Sequence, residues 1–130
     1  MRYPTPALWR IRPLFAHDGD TVYAIVDRGG ENKQQETWRI RLKGVFAPEI
    51  SPPQEGAVEC QRFVQEWLAR HGDGSDWPLM LETFRTPKSD VDIYTLGRII
   101  GVITAADAAV LNDEIQAFVT ANGYPGGIGS

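Results

Sequence analysis

Residues 37–45 read Thr37-Trp38-Arg39-Ile40-Arg41-Leu42-Lys43-Gly44-Val45. Trp38, Ile40 and Leu42 alternate with Arg39, Arg41 and Lys43, the period of two that places one set of side chains on an apolar face and the other toward solvent. This segment predicts a half-buried β-strand. Upstream, residues 21–27 (TVYAIVD) are rich in β-branched and aromatic residues, which suit a pleated surface. Residues 8–17 (LWRIRPLFAH) run into Asp18-Gly19-Asp20, a turn signal. Three consecutive antiparallel strands follow from this, the second and third joined by a long polar loop from Arg28 to Glu36.

Downstream the period changes. Residues 46–54 contain Pro48, Pro52 and Pro53 and break the strand. From Glu55 to His71, Ala57, Cys60, Val64, Trp67 and Leu68 fall on one stripe at helical spacing. Glycines between Gly72 and Asp76 end that helix. Residues 79–85 (LMLETFR) and 96–104 (LGRIIGVIT) predict two more strands, separated by a polar loop over Thr86–Asp92. Val110 to Ala121 predicts a second helix with Leu111, Ile115, Phe118 and Val119 on one face. The order β-β-β-α-β-β-α is that of a five-stranded Greek-key barrel, the OB-fold, an α+β class that is mainly β.

The 130 residues carry 13 Lys plus Arg against 17 Asp plus Glu, a net charge of −4, with 42% hydrophobic residues. Such a chain forms a single domain over 1–130 with one core, its glycine-rich tail from about Gly123 expected to be loose. No apolar run approaches the roughly 20 residues of a membrane span, and the first residues lack the apolar core of a secretion signal. The expected location is cytoplasmic or particle-associated. The single cysteine, Cys60, excludes an intramolecular disulfide and a cysteine-rich zinc site. The acidic balance argues against a protein that coats nucleic acid non-specifically, yet leaves room for one that grips one or two phosphates.

Four short segments carry candidate chemistry: Asp18-Gly19-Asp20-Thr21, Arg41 through Ala47-Pro48-Glu49, Gly97-Arg98, and Leu111-Asn112-Asp113-Glu114. Each alone is ordinary turn or capping chemistry. In this order and spacing, from about Ala16 to Tyr124, they resemble the staphylococcal nuclease-like (thermonuclease) family, whose fold is the same OB barrel. The resemblance implies a calcium-dependent phosphodiesterase acting on DNA or RNA. Asp20 matches a direct metal ligand, with Ala47 offering a backbone carbonyl and Asp18 a carboxylate behind the ligand. Glu49 matches the group that orients or deprotonates the attacking water. Arg41 and Arg98 match the guanidiniums that clamp the scissile phosphate, and paired arginines beside a hard dication suit charge accumulating on phosphoryl oxygens.

The pattern departs at Phe46, where the family has a second metal-binding aspartate. Calcium affinity follows ligand charge, so the site is expected to hold calcium weakly. Tyr94 and Leu96 replace the acidic and tyrosine positions before Gly97-Arg98, with Asp90 and Asp92 in the same loop. Two readings stay open. One is a nuclease with an altered metal site. The other is a catalytically degenerate nuclease-like module that binds nucleic acid or a protein partner, such as a structural component of a phage or other large assembly. Among the remaining polar and aromatic residues, His17 and His71 are expected to be surface or helix-end residues, Cys60, Trp38 and Trp67 core, and Tyr3, Trp9, Trp77 and Tyr124 to lie near element ends.

Overall fold

The computed structural model describes residues 7–29, 34–50, 54–72, 74–84 and 99–124. Its elements are β1 (Ala7–Asp18), β2 (Thr21–Gly29), β3 (Gln34–Leu42), α1 (Ala57–His71), β4 (Leu79–Phe84), β5 (Ile99–Ala105) and α2 (Leu111–Asn122). The strands close into a barrel in the order β1-β2-β3-β5-β4. Every pairing is antiparallel except β3 with β5. A parallel pair needs a long crossover connection, and here the segment between β3 and β5 carries both α1 and β4. The element order matches the OB-type barrel expected from the sequence, and both hairpin strands β2 and β3 extend further into the polar loop than their apolar residues alone suggested.

The alternation in β3 is realised as burial. Trp38, Ile40 and Leu42 face the core, whereas Arg39 and Arg41 are half-buried on the outer face. Ile11, Val22, Val26, Leu81 and Ile103 complete the barrel interior. Ala57, Cys60, Val64, Trp67 and Leu68 of α1 are all buried, and Leu111, Ile115 and Val119 of α2 join the same core. Trp9 packs edge-on against Trp38 with ring centroids 5.1 Å apart, so it belongs to the core margin. Trp77 is half-buried beneath the Arg12 guanidinium, 5.0 Å from the ring centroid.

Two details position the barrel mouth. Register shifts interrupt the β1–β2 ladder between Pro13 and Phe15 and between Ala16 and Asp18. A bulge leaves backbone groups without ladder partners, and α1 supplies them. The Ala16 N–H donates to Gln65 Oε1 at 2.8 Å, and Gln61 Nε2 donates to the carbonyls of Ala16 and His17, each at 3.2 Å. The second detail is at the chain's far end. Gly123 takes a left-handed conformation (φ 66°) that closes α2, and the Tyr124 N–H donates to the Val119 carbonyl at 3.2 Å. Tyr124 then packs against the core and covers Gly56, which itself sits at φ 83° before α1. A Cβ on Gly56 would fall 2.4 Å from the Tyr124 ring. Of the stretch expected to be loose, Gly123 is exposed but hydrogen-bonded to the end of α2, Tyr124 is packed, and residues 125–130 lie outside the described residues. Among the described residues, no helix is long and apolar enough to cross a membrane.

Candidate functional site at the barrel mouth

The turn Asp18-Gly19-Asp20-Thr21 links β1 to β2, with Asp18 paired to Thr21. Asp18 Oδ1 accepts the Asp20 N–H at 3.0 Å, the side-chain-to-backbone bond that stabilises such turns. Gly19 is required by packing. A Cβ there would lie 2.7 Å from the Ala47 Cβ and 2.8 Å from the Cys60 Cβ. The turn therefore sits directly on α1 and on the loop after β3. Both carboxylates are buried, Asp18 to 6% exposure and Asp20 to 7%.

The end of β3 meets this turn. The Leu42 N–H donates to the Asp20 carbonyl at 2.8 Å, and Arg41 Nη1 lies 3.3 Å from Asp20 Oδ2. The same Nη1 donates to the Val45 carbonyl at 3.0 Å. Thr21 Oγ1 donates to Asp20 Oδ1 at 3.1 Å. Arg41 pairs with Asp20 alone, and the second buried carboxylate, Asp18, lies beside it. Burial is the main force pushing the Asp20 carboxyl up to about 7, and the neighbouring Asp18 adds to it through a hydrogen bond and its charge. Arg41 and Thr21 oppose that rise. Cys60, beneath the turn, is pushed up to about 11 by burial first and then by the charges of Glu59 and Asp20. Its thiol stays protonated and is a packing residue.

Phe46 stands at the start of the next loop, its side chain 38% exposed, and its N–H donates to Gln116 Oε1 of α2 at 2.8 Å. Ala47 is buried against the turn. Glu49 is half-buried and is held through its backbone: its N–H donates to Gln54 Oε1 at 2.7 Å, and its carbonyl accepts the Gln54 N–H at 2.9 Å. No hydrogen bond engages the Glu49 carboxylate among the described residues. Arg98 lies outside the described residues, as do Asp90, Asp92, Tyr94 and Leu96. Of the residues singled out in the sequence, direct contact thus joins Asp18, Asp20 and Arg41. Ala47 packs against the same turn, and Glu49 follows on the loop whose Val45 carbonyl Arg41 holds.

His17 and His71 take no part in this cluster. His17 is exposed, with its ring edge-on to Tyr23 at 6.3 Å. The His71 ring lies 4.3 Å from Trp67, and its Nδ1 is 3.7 Å from Asp107.

Sequence reasoning placed Asn112 in a candidate segment without giving it a role, and did not single out the glutamines that also hold the site together. Asn112 is buried at the start of α2. Its Oδ1 accepts the Ile103 N–H at 3.0 Å, and its Nδ2 donates to the carbonyls of Lys43 at 2.9 Å and Gly101 at 3.0 Å. One side chain thereby joins the exit of β3, the middle of β5 and α2. Gln61 and Gln65 brace the approach to Asp18, Gln116 pins Phe46, and Gln54 pins Glu49. The available signal was positional: Gln61 and Gln65 are four apart on α1 and flank its apolar stripe.

The calcium implied by the resemblance takes six to eight oxygen ligands. Among the described residues, no group of three or more His, Cys, Asp or Glu is arranged to hold a metal ion. Phe46 contributes no side-chain donor. What remains is all-oxygen and carries surplus negative charge, with neither imidazole nor thiolate. Oxygen donors of this kind are the chemistry that a hard cation takes. Compared with protein-family models and with curated proteins, the chain matches none.

Proposed function

We propose that this protein is a phosphodiesterase acting on DNA or RNA, with a weakened calcium site. The observation that carries the reading is the buried Asp18–Asp20 pair, met at 3.3 Å by Arg41 where β1, β2 and β3 converge at the barrel mouth. Burying two carboxylates against a single cation opposes folding. Groups held at such a cost, with a strongly displaced proton affinity, cluster at functional sites.

In this reading Arg41 and Arg98 bind the scissile phosphate and stabilise the charge that builds on its non-bridging oxygens. Glu49 orients the attacking water and accepts its proton, for which its carboxylate, uncommitted among the described residues, is available. Asp20 and the Ala47 carbonyl would hold the cation, and Asp18 fixes the Asp20 backbone. A bound calcium ion would supply positive charge at the phosphoryl oxygens. The Arg41 guanidinium faces both Asp20 and the substrate position, so phosphate binding and the Asp20 charge are linked.

The test is cleavage of single-stranded DNA and of RNA with calcium, magnesium, manganese or chelator, alongside Arg41→Ala and Glu49→Gln. The expected result is metal-dependent cleavage reduced about 100-fold or more by either substitution. Absence of cleavage with every metal sinks the proposal. The partly exposed Phe46 ring, standing where the resemblance places a carboxylate, favours the second reading in that case: a module that binds nucleic acid or a protein partner, including one in a phage or other assembly. Its signature is ligand binding without calcium and unchanged by Glu49→Gln.

A further inference from the structure

The outer face of β1–β2–β3 carries a second arrangement beside the mouth. Tyr23 pairs with Phe15 across one ladder and with Arg39 across the other. Phe15, Tyr23 and Arg39 therefore stand in one row across the sheet. Two residues along each strand, Thr21 pairs with Arg41, so the next row is that of the candidate site. The two rows are about 6.6–7 Å apart along the strands, comparable with the step between successive phosphates of an extended single strand.

The chemistry of the row differs from an ordinary solvated face. The Phe15 and Tyr23 rings are stacked, with centroids 4.8 Å apart and planes 16° apart, yet Phe15 remains 47% exposed. Arg10, Arg28 and Arg41 each have an acidic partner. Arg39 has none among the described residues, and its Nε is buried without a hydrogen-bond acceptor. A half-buried guanidinium without a counter-ion is an unfavourable arrangement that an anion relieves. Beyond Arg41, Lys43 lies over the Phe84 ring at 5.0 Å. Arg39, Arg41 and Lys43 thus form a line of cations with aromatic rings beside both of its ends, in a chain whose net charge is −4.

We propose that the Phe15–Tyr23–Arg39 row is a subsite for a single-stranded segment of nucleic acid adjoining the scissile phosphate. An unpaired base stacks on the Phe15–Tyr23 pair, and Arg39 takes the neighbouring phosphate. The placement of the scissile phosphate at Arg41 rests on the function proposed above. Aromatic platforms beside basic side chains bind single strands because every unpaired base offers a π-face. A duplex hides those faces and asks for a broader basic surface than this acidic chain carries.

The test measures binding of a fluorescent oligothymidylate in chelator over a series of salt concentrations. Phe15→Ala and Arg39→Gln are compared with Leu8→Ala, a control at a side chain 65% exposed at the start of β1, with thermal unfolding confirming that each variant folds. Phe15→Ala is expected to weaken binding about fivefold or more, from the loss of one stacking contact. Arg39→Gln is expected to reduce the log–log salt slope by about 0.7, the loss of one phosphate contact. Leu8→Ala should bind as the wild type does. Equal binding by all three variants, or an equal loss in Leu8→Ala, overturns the subsite. Cleavage of thymidine p-nitrophenyl phosphate by the wild type, a diester too short to reach the row, reports separately on the proposed reaction. Cleavage with unaltered oligonucleotide binding refutes the subsite alone. Weakened binding without cleavage refutes the reaction and supports the row as a binding surface.

Discussion

Replacing Asp20 with asparagine should stabilise this protein at neutral pH, although the substitution removes an ion pair. Burial and the Asp18 carboxylate raise the Asp20 carboxyl from 3.8 to about 7 with the Arg41 attraction already opposing that rise. The sign follows from proton binding. Between pH 4 and pH 7 the folded protein holds this proton and the unfolded chain releases it. Stability from this group is therefore greatest at or below about pH 4 and falls as pH rises to about 7, reaching its lowest level above that. A displacement from 3.8 to about 7 corresponds to a ceiling of about 4 kcal/mol at 1.36 kcal/mol per tenfold change in proton affinity. Relaxation of the turn and water at the mouth reduce the realised value to about 1–3 kcal/mol. Asparagine keeps the shape and an acceptor for the Thr21 hydroxyl while carrying no charge. Urea unfolding followed by tryptophan fluorescence, with chelator present, should show Asp20→Asn close to wild type at pH 4. It should be more stable by about 1–3 kcal/mol at pH 8. A difference that does not change with pH, or an asparagine variant less stable at pH 8, would refute this electrostatic account.

Calcium should oppose the same charge: 10 mM calcium is expected to raise the unfolding temperature of the wild type but not of Asp20→Asn, and Phe46→Asp should enlarge the shift by adding a carboxylate. Differential scanning fluorimetry checks both, and a Phe46→Asp variant indifferent to calcium removes Phe46 from the metal position. Gly19→Ala is expected to cost about 1–3 kcal/mol in urea unfolding, because its methyl group would meet the Cβ atoms of Ala47 and Cys60 at 2.7 and 2.8 Å. An unaltered midpoint would show that the turn lifts freely off α1. Asn112→Ala leaves the Ile103 N–H and the Lys43 and Gly101 carbonyls without that partner, at a cost of about 2–4 kcal/mol. Amide hydrogen exchange at Ile103 should accelerate in this variant, and retained protection there would contradict the bridging role.

The local patterns were legible because each rests on a short-range rule. The alternation through Trp38–Leu42 announced a strand buried on one side, and the Ala57–Leu68 stripe announced a helix buried on one face. The order of those elements left an OB-type barrel as the natural closure. Asp18, Asp20, Arg41, Ala47 and Glu49 were named through the family resemblance that their motifs carry, as was the departure at Phe46.

Contacts between distant segments were not legible, because no local period encodes them. That Arg41 would satisfy Asp20 and also the Val45 carbonyl depends on the β2–β3 register and on the loop that follows. The role of Asn112 depends on three backbone groups that come together only when β3 pairs in parallel with β5. Gln61 and Gln65 lie off the apolar stripe of α1, and only the β1 bulges give them backbone groups to bind. The raised proton affinity of Asp20 belongs to the same class, since a carboxylate in a turn is ordinary and only barrel closure removes its water. The amino-acid sequence by itself determined which residues alternate, which face inward and which chemistry is present. The tertiary structure decided which of those groups meet, because desolvation and long-range hydrogen bonding exist only once the barrel has closed.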